Sequence, residues 1–229
     1  VLGGNSTVFN SYKITIFITV AGTVLGLILV SMVAYSASRK HLKYRNVISM
    51  IVYIPMVFYG GLVPFYMVLI NLGFKNSIPG LFIPILIAPM NVFLMINYFR
   101  GLPEAVMESA KIDGADDFRT FIKIVLPMSG PVIATVALFI MLQIWNEWVL
   151  SLLLIDDSKK YPLQFLLRQI IARVSYAQSQ SQSMVNAAEM PQESVKMATV
   201  VVTLGPIVLV YPFIQKYFVK GITIGAVKG

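Results

Sequence analysis

The chain has 229 residues, 57% of them hydrophobic and 12% charged, with a mean hydropathy of +0.78, whereas soluble domains run near 45 to 50% apolar and about 25% charged. This excludes a soluble globular protein and a disordered chain, and zero Cys with no Gly or Pro period excludes a disulfide scaffold or a collagen. A net charge of +8 would point to nucleic acid in a soluble domain; in a chain this apolar the basic residues belong to loops that orient it, and no nucleic-acid partner is expected.

The chain opens at Val1 with neither Met nor a basic segment ahead of a short apolar run, so no signal peptide is read and an N-terminal piece is expected to be missing. About 20 apolar residues at 1.5 Å rise cross a hydrocarbon core roughly 30 Å thick. Five runs are long enough: 14–36, 47–70, 78–99, 131–155 and 195–219. The predicted fold class is an all-α polytopic transmembrane helix bundle, one domain over 1–229. Arg39, Lys40, Lys43 and Arg45 follow the first run, whereas the connector 71–77 holds only Lys75, so the first connector is cytoplasmic and the second external. The segment 100–127, with Arg100, Lys111, Arg119 and Lys123, is then cytoplasmic, 156–194 is external, and the tail with Lys220 and Lys228 is cytoplasmic. Lys159, Lys160, Arg168 and Arg173 run against this count in the external segment, although longer loops follow the rule less strictly.

The first run contains Gly22 and Gly26, spaced to let another helix approach closely. The second carries Pro55, Gly60, Gly61 and Pro64, and the third Pro79, Pro84 and Pro89. Proline inside a helix removes a backbone hydrogen bond, and the freed carbonyls need protein or water beside them. These two runs either line a cavity or kink within a rigid bundle.

Segment 102–127 reads as two short helices. Pro103 and Glu104 suit the start of the first, Gly114 closes it after Asp113, and Asp116 caps the second. On that second helix Phe118, Phe121, Ile122 and Val125 are expected to form one apolar face, with Pro127 at its end.

In the fourth run Glu147 sits in Gln143-Ile144-Trp145-Asn146-Glu147-Trp148. A carboxylate in a span is costly and faces a cavity or a partner, and Gln143 and Glu147, four apart, share a helix face. Amides, a carboxylate and indoles suit a sugar path through Gln143, Trp145, Asn146 and Glu147; the alternative is an interfacial anchor. Asn91 and Tyr53, on the proline-broken runs, are further path candidates. After Pro162, Leu163, Leu166, Leu167, Ile170, Ile171 and Val174 form the stripe of an amphipathic helix on the outer face, and 175–183 reads as a flexible loop.

Glu108-Ser109-Ala110, three residues, Gly114, nine residues, Ile124, one residue, Leu126 and Pro127 resembles the EAA loop of the membrane subunits of binding-protein-dependent ABC importers. Ser109 stands where Ala is usual, one small residue for another. Asn10-Ser11, Ala34-Tyr35-Ser36, Trp145 to Trp148 and Lys220 to Thr223 are similar to the sugar-importing branch that includes the smaller maltose permease subunit. The closing Gly-Ala-Val-Lys-Gly is similar to permeases for oligosaccharides and polysaccharide fragments in Gram-positive bacteria.

The resemblance implies a coupling helix that sits in a cleft of a cytoplasmic ATPase subunit, with Glu108, Ser109, Ala110, Asp113 and Gly114 on the docking segment and Leu126 and Pro127 returning the chain to the membrane. It implies six spans, the sixth being an N-terminal one, and a bacterial cytoplasmic membrane location with the C-terminus inside. It also implies a second homologous permease, two ATPase subunits carrying ATP and Mg, and an extracellular solute-binding protein that delivers a carbohydrate. No phosphate-binding Gly-Lys-Ser or Gly-Lys-Thr occurs, and the lone His41 is read as a solvated loop residue. No catalytic, metal or cofactor site is therefore expected on this chain. A permease for peptides, amino acids or ions, and a non-transport membrane scaffold, are the alternatives.

Overall fold

The computed structural model describes residues 5–181 together with Met197 and Val201; the expected run 195–219 otherwise lies outside the described residues. Uninterrupted by Gly or Pro as far as Gly22, the chain forms α1 (Asn5–Ser38), 34 residues and about 51 Å long. It begins well ahead of the predicted 14–36 because nothing between Asn5 and Lys13 breaks a helix. Its inner side mixes hydroxyl residues with apolar ones such as Ile18 and Val30, and its outer side is largely apolar. Ser11, Thr15, Thr19, Thr23 and Ser31 are buried, while Phe17, Val20, Val24 and Ile28 are about half-exposed. Small and hydroxyl residues inward with large apolar ones outward is the pattern of helices packed in membranes.

The glycines of α1 mark its packing seam. A Cβ on Gly22 would collide with Ile144 Cδ1, and one on Gly26 would stand 3.2 Å from the Leu86 carbonyl and 3.3 Å from Ile140. The close approach read from their spacing is present, with α8 (Gly130–Trp145) as the neighbour.

The second predicted run is not one helix. Phe58 turns extended and Gly61 takes φ +93°, dividing it into α2 (Arg45–Val57) and α3 (Leu62–Asn71). The third is broken as well. Pro79, Pro84 and Pro89 each stand in the first turn of an element, giving 3-10 turns at Pro79–Leu81 and Ile83–Ile85 and then α4 (Pro89–Arg100). Proline tolerates a first turn because its missing N–H would be unpaired there anyway. The fourth run is α8, a break at 146–148, and α9 (Val149–Leu154).

Among the described residues, α1 alone is long and apolar enough to cross a membrane by itself. Two bent pairs reach that length together, Pro79–Ile85 with Pro89–Arg100 at 49° and Asp117–Met128 with Gly130–Trp145 at 85°. No strand occurs among the described residues. The core lies where α1, α4 and α8 meet, and Val30, Ala34, Val92, Met95, Phe99, Val136 and Ile140 are fully buried there.

Beyond α9, α10 (Leu163–Ser181) runs through Ser175 to Ser181, so most of the expected flexible loop is helical. Leu163 and Leu167 pack with Trp145 against Val8 and Tyr12 of α1. The Leu163 N–H donates to Thr15 Oγ1 at 2.8 Å, which fixes the start of α10 on α1.

Candidate functional site

Between α4 and α8 the chain forms α5 (Glu104–Ile112), α6 (Asp117–Thr120), a π-helical turn Phe121–Val125 and α7 (Leu126–Met128). Pro103 is extended (ψ 121°) and caps α5 from outside, one residue earlier than the sequence placed it. At the far end Gly114 has φ +79°. The Asp113 and Gly114 N–H groups donate to the Ser109 and Lys111 carbonyls, and the Ala115 N–H donates to Ala110 at 2.9 Å, closing α5 through a left-handed residue. A Cβ on Gly114 would meet nothing within 4 Å, so it is the backbone angle, not space, that favours glycine here. Asp116 Oδ1 accepts the Arg119 N–H at 2.7 Å, the cap read from the sequence.

The single apolar face expected on the second helix is divided. Phe121 and Val125 are buried in the core, whereas Phe118 and Ile122 are exposed. Pro127 has no N–H for the carbonyl four residues before it, and the wide π turn ahead of it changes which side chains align. Ile112 at the end of α5 is 86% exposed, so Ile112, Phe118 and Ile122 leave the loop with apolar side chains in the open. Glu108, Ser109, Asp113, Gly114 and Pro127 are exposed, Leu126 is half-buried, and Ala110 is buried beside Met107.

This loop is pinned to the end of α1. The Phe121 ring lies 4.9 Å from Tyr35, and the Arg39 guanidinium lies 4.6 Å over the other partner of that pair, Tyr35, and contacts the Met107 sulfur. Lys40 Nζ reaches Glu104 Oε1 at 2.7 Å, His41 Nε2 stands 3.2 Å from Asp117 Oδ2, and Arg100 donates to the Ala37 carbonyl at 3.4 Å. His41, read as merely solvated, is half-exposed and touches the loop. The hydrogen bond from Lys40 holds the Glu104 carboxyl below the usual carboxylate range.

The opposite end is held by a residue the sequence reading passed over. Asn76, at φ +54°, accepts the Asp156 N–H at 2.7 Å, gives its own N–H to the Leu154 carbonyl at 2.8 Å and accepts Lys160 Nζ on its carbonyl at 2.6 Å. Beside it Lys75 pairs with Asp156 at 2.9 Å. That pairing lowers the Asp156 pKa and raises that of Lys75. The only available signal was an Asn in a Gly-Phe-Lys-Asn turn, since Asn tolerates the left-handed region.

At the same end, the break after α8 rearranges the predicted polar cluster. Asn146 ends the helix, so Gln143, which is exposed, and Glu147 no longer share a helix face. Glu147 Oε1 accepts the Leu150 N–H at 2.8 Å and caps α9. Asn146 donates to the Leu142 carbonyl at 2.8 Å and accepts Gln164 Nε2 at 3.3 Å. Trp145 is buried under Leu163 and Leu167, its faces closed to a sugar, whereas Trp148 is partly open with the Arg168 guanidinium 3.9 Å above it. Asn91 is 4% exposed inside α4, and Tyr53 is 54% exposed on α2. Neither shares a hydrogen bond with the 143–148 segment.

Among the described residues no group of three His, Cys, Asp or Glu could hold a metal ion. The arrangement defines a helical membrane subunit that carries its polar chemistry at its two ends. Residues 22–224 match the binding-protein-dependent transport system inner membrane component family, and the chain belongs to it: it is a transport permease subunit and a membrane protein. It is 40% identical over 222 residues to the polygalacturonan/rhamnogalacturonan transport system permease protein YtcP of Bacillus subtilis, covering 97% of this chain and 78% of that one. Protein LplC of the same organism is 42% identical over 223 residues, covering 97% and 75%. The arabinooligosaccharides transport system permease protein AraQ of Halalkalibacterium halodurans is 30% identical over 94% of this chain and 72% of its own. Among solved structures, a bacterial ABC transporter involved in the import of the acidic polysaccharide alginate matches with a TM-score of 0.81 and 30% identity, over 93% of this chain and 75% of that chain.

Proposed function

We propose that this chain is the carbohydrate-translocating permease subunit of a bacterial ATP-driven importer, working by alternating access on an oligosaccharide delivered by an extracellular binding protein. It lies in the cytoplasmic membrane with several passes, its C-terminus inside, beside a second homologous permease and above two ATPase subunits that carry ATP and Mg. The relatives named for polygalacturonan and arabinooligosaccharides, and the alginate importer, support a carbohydrate cargo. The observation that carries the mechanism is the loop from Glu104 to Pro127. It exposes Ile112, Phe118 and Ile122 to a partner while its inner side is fastened to α1 through Phe121 and to Lys40 and His41, just beyond α1, through Glu104 and Asp117. A partner that moves the loop moves α1, and α1 bears on α8 through Gly22 and Gly26. Glu108, Ser109, Asp113 and Gly114 form the docking segment on this reading. Asn146 and Glu147 stand at the break in the path, and the exposed apolar side of α1 meets lipid or the second permease.

Gly114→Trp tests the docking. Gly114 is exposed and its φ of +79° is strained for any side chain. The variant complex should insert normally, lose ATPase subunits on purification and lose uptake. ATPase copurification and uptake at wild-type levels would overturn the coupling assignment.

A further inference from the structure

Resting on the carbohydrate reading above, we propose that α10 and the start of α9 form a subsite for the carboxylate of an acidic sugar, a uronate within the transported oligosaccharide, with Arg168 as its principal contact. The two elements line an open cleft of about 890 Å³, with Trp148, Gln164, Arg168, Gln169, Arg173 and Tyr176 on walls that are otherwise apolar, within the roughly 300 to 1,000 Å³ of small-molecule sites. Among the described residues no carboxylate lines it.

The donors match a uronate group by group. A guanidinium gives a carboxylate two parallel N–H bonds, which an ammonium cannot. Indole and phenol rings offer flat apolar faces to the C–H side of a sugar ring, and glutamine amides both give and accept bonds from hydroxyls. Arg168 is already placed, its guanidinium 3.9 Å over Trp148. Among the described residues no carboxylate forms an ion pair with Arg168 or Arg173. Glu147, the acid next to Trp148 in the chain, has Oε1 on the Leu150 N–H, and Asp156 is paired with Lys75.

The cleft is continuous with the break in the path, because Gln164 bonds to Asn146 across 3.3 Å. A lipid headgroup would also suit two arginines and an indole; the line of side-chain amides from Gln164 to Asn146 is what favours a polyhydroxyl ligand.

The test uses the assembled importer in zwitterionic nanodiscs without its binding protein, titrated with trigalacturonate and with neutral galactotriose. Wild type should bind the acidic trisaccharide more tightly. Arg168→Gln should weaken that binding about ten-fold or more and Arg173→Gln by less, whereas the affinity for galactotriose, which has no carboxylate, should change far less. Arg168→Lys should recover only part of the loss. Equal affinity for the two sugars, wild-type binding by Arg168→Gln, binding of neither sugar, or an effect of the substitution that needs anionic lipid would each overturn the subsite. Loss of the carbohydrate reading itself has a different signature, namely no ATP-dependent uptake of any oligosaccharide when the binding protein is restored.

Discussion

The Tyr35 ring at the end of α1 meets the Phe121 ring of the 104–128 loop at 4.9 Å and 40°. Phe121 is 6% exposed and Tyr35 7%, so this contact is a continuation of the core into the loop. Beside it stand the Arg39 contact with Met107 and the exposed pairs Lys40–Glu104 and His41–Asp117. Phe121→Ala removes the ring at a cost of about 3 to 5 kcal/mol if the site does not collapse. Phe121→Leu keeps most of the volume and should cost about 1.5 kcal/mol or less. We expect the Ala variant to hydrolyse several times more ATP per molecule imported than wild type, and the Leu variant to stay near it. Paired ATPase and uptake assays in proteoliposomes read that ratio.

The packing of α1 on α8 sets a second expectation. Gly22→Ala drives a methyl into Ile144 Cδ1, which overpacks the seam by about 1 to 3 kcal/mol. Ile144→Val removes the methyl that is struck, so the double variant should recover much of the lost thermal stability of the purified complex. Additive losses in the double variant would mean that these two residues do not share the seam.

Glu147 separates a structural from a substrate role. Glu147→Ala removes the acceptor for the Leu150 N–H, a cap worth about 0.5 to 2 kcal/mol, while Glu147→Gln keeps an oxygen there. The structure therefore predicts near-normal uptake for Gln and reduced uptake with a lower Tm for Ala. Equal, large losses in both, at unchanged stability, would assign the carboxylate charge to the cargo instead.

Lys75, Asn76 and Asp156 form a clamp whose pH range follows from its shifts. The Asp156 pKa is lowered, so its contribution is present above its unfolded pKa and fades as pH falls through the lower folded value. The Lys75 pKa is raised, so its contribution is present below its unfolded pKa and fades only as pH rises through the higher folded value. The clamp is thus intact from roughly pH 5 to 9. Within that range Asn76→Gly, which keeps the φ of +54° but loses the side-chain bonds, should lower the Tm less than Asn76→Ala, which also strains the backbone. Thermal unfolding of the three proteins across that pH range checks both the plateau and the order.

What could be read from the sequence were features with a local cause. Asp116 as a cap, Gly114 as a left-handed terminator and the Gly22–Gly26 seam depend on residues within a turn of each other. What could not be read depended on partners far along the chain. The break at 146 is invisible in an apolar run that continues to Ile155, so Gln143 and Glu147 were placed on one helix face they do not share. Trp145 and Trp148 look alike in sequence, yet only the fold of α10 decides that one is buried and the other lies open under Arg168. Pro127 signalled an end to its helix, but not the π turn that divides Phe121 and Val125 from Phe118 and Ile122.

The proposed docking of an ATPase subunit on the 104–128 loop has a direct test because the chain contains no cysteine. Ile112→Cys gives one thiol at the exposed end of α5, and Lys75→Cys gives one at the other end of the bundle. With a short bis-maleimide, in membranes containing the whole importer, Ile112→Cys should join this chain to the ATPase subunit and Lys75→Cys should not. The absence of an ATPase product from Ile112→Cys, with one from Lys75→Cys, would contradict both the docking surface and the orientation of the chain.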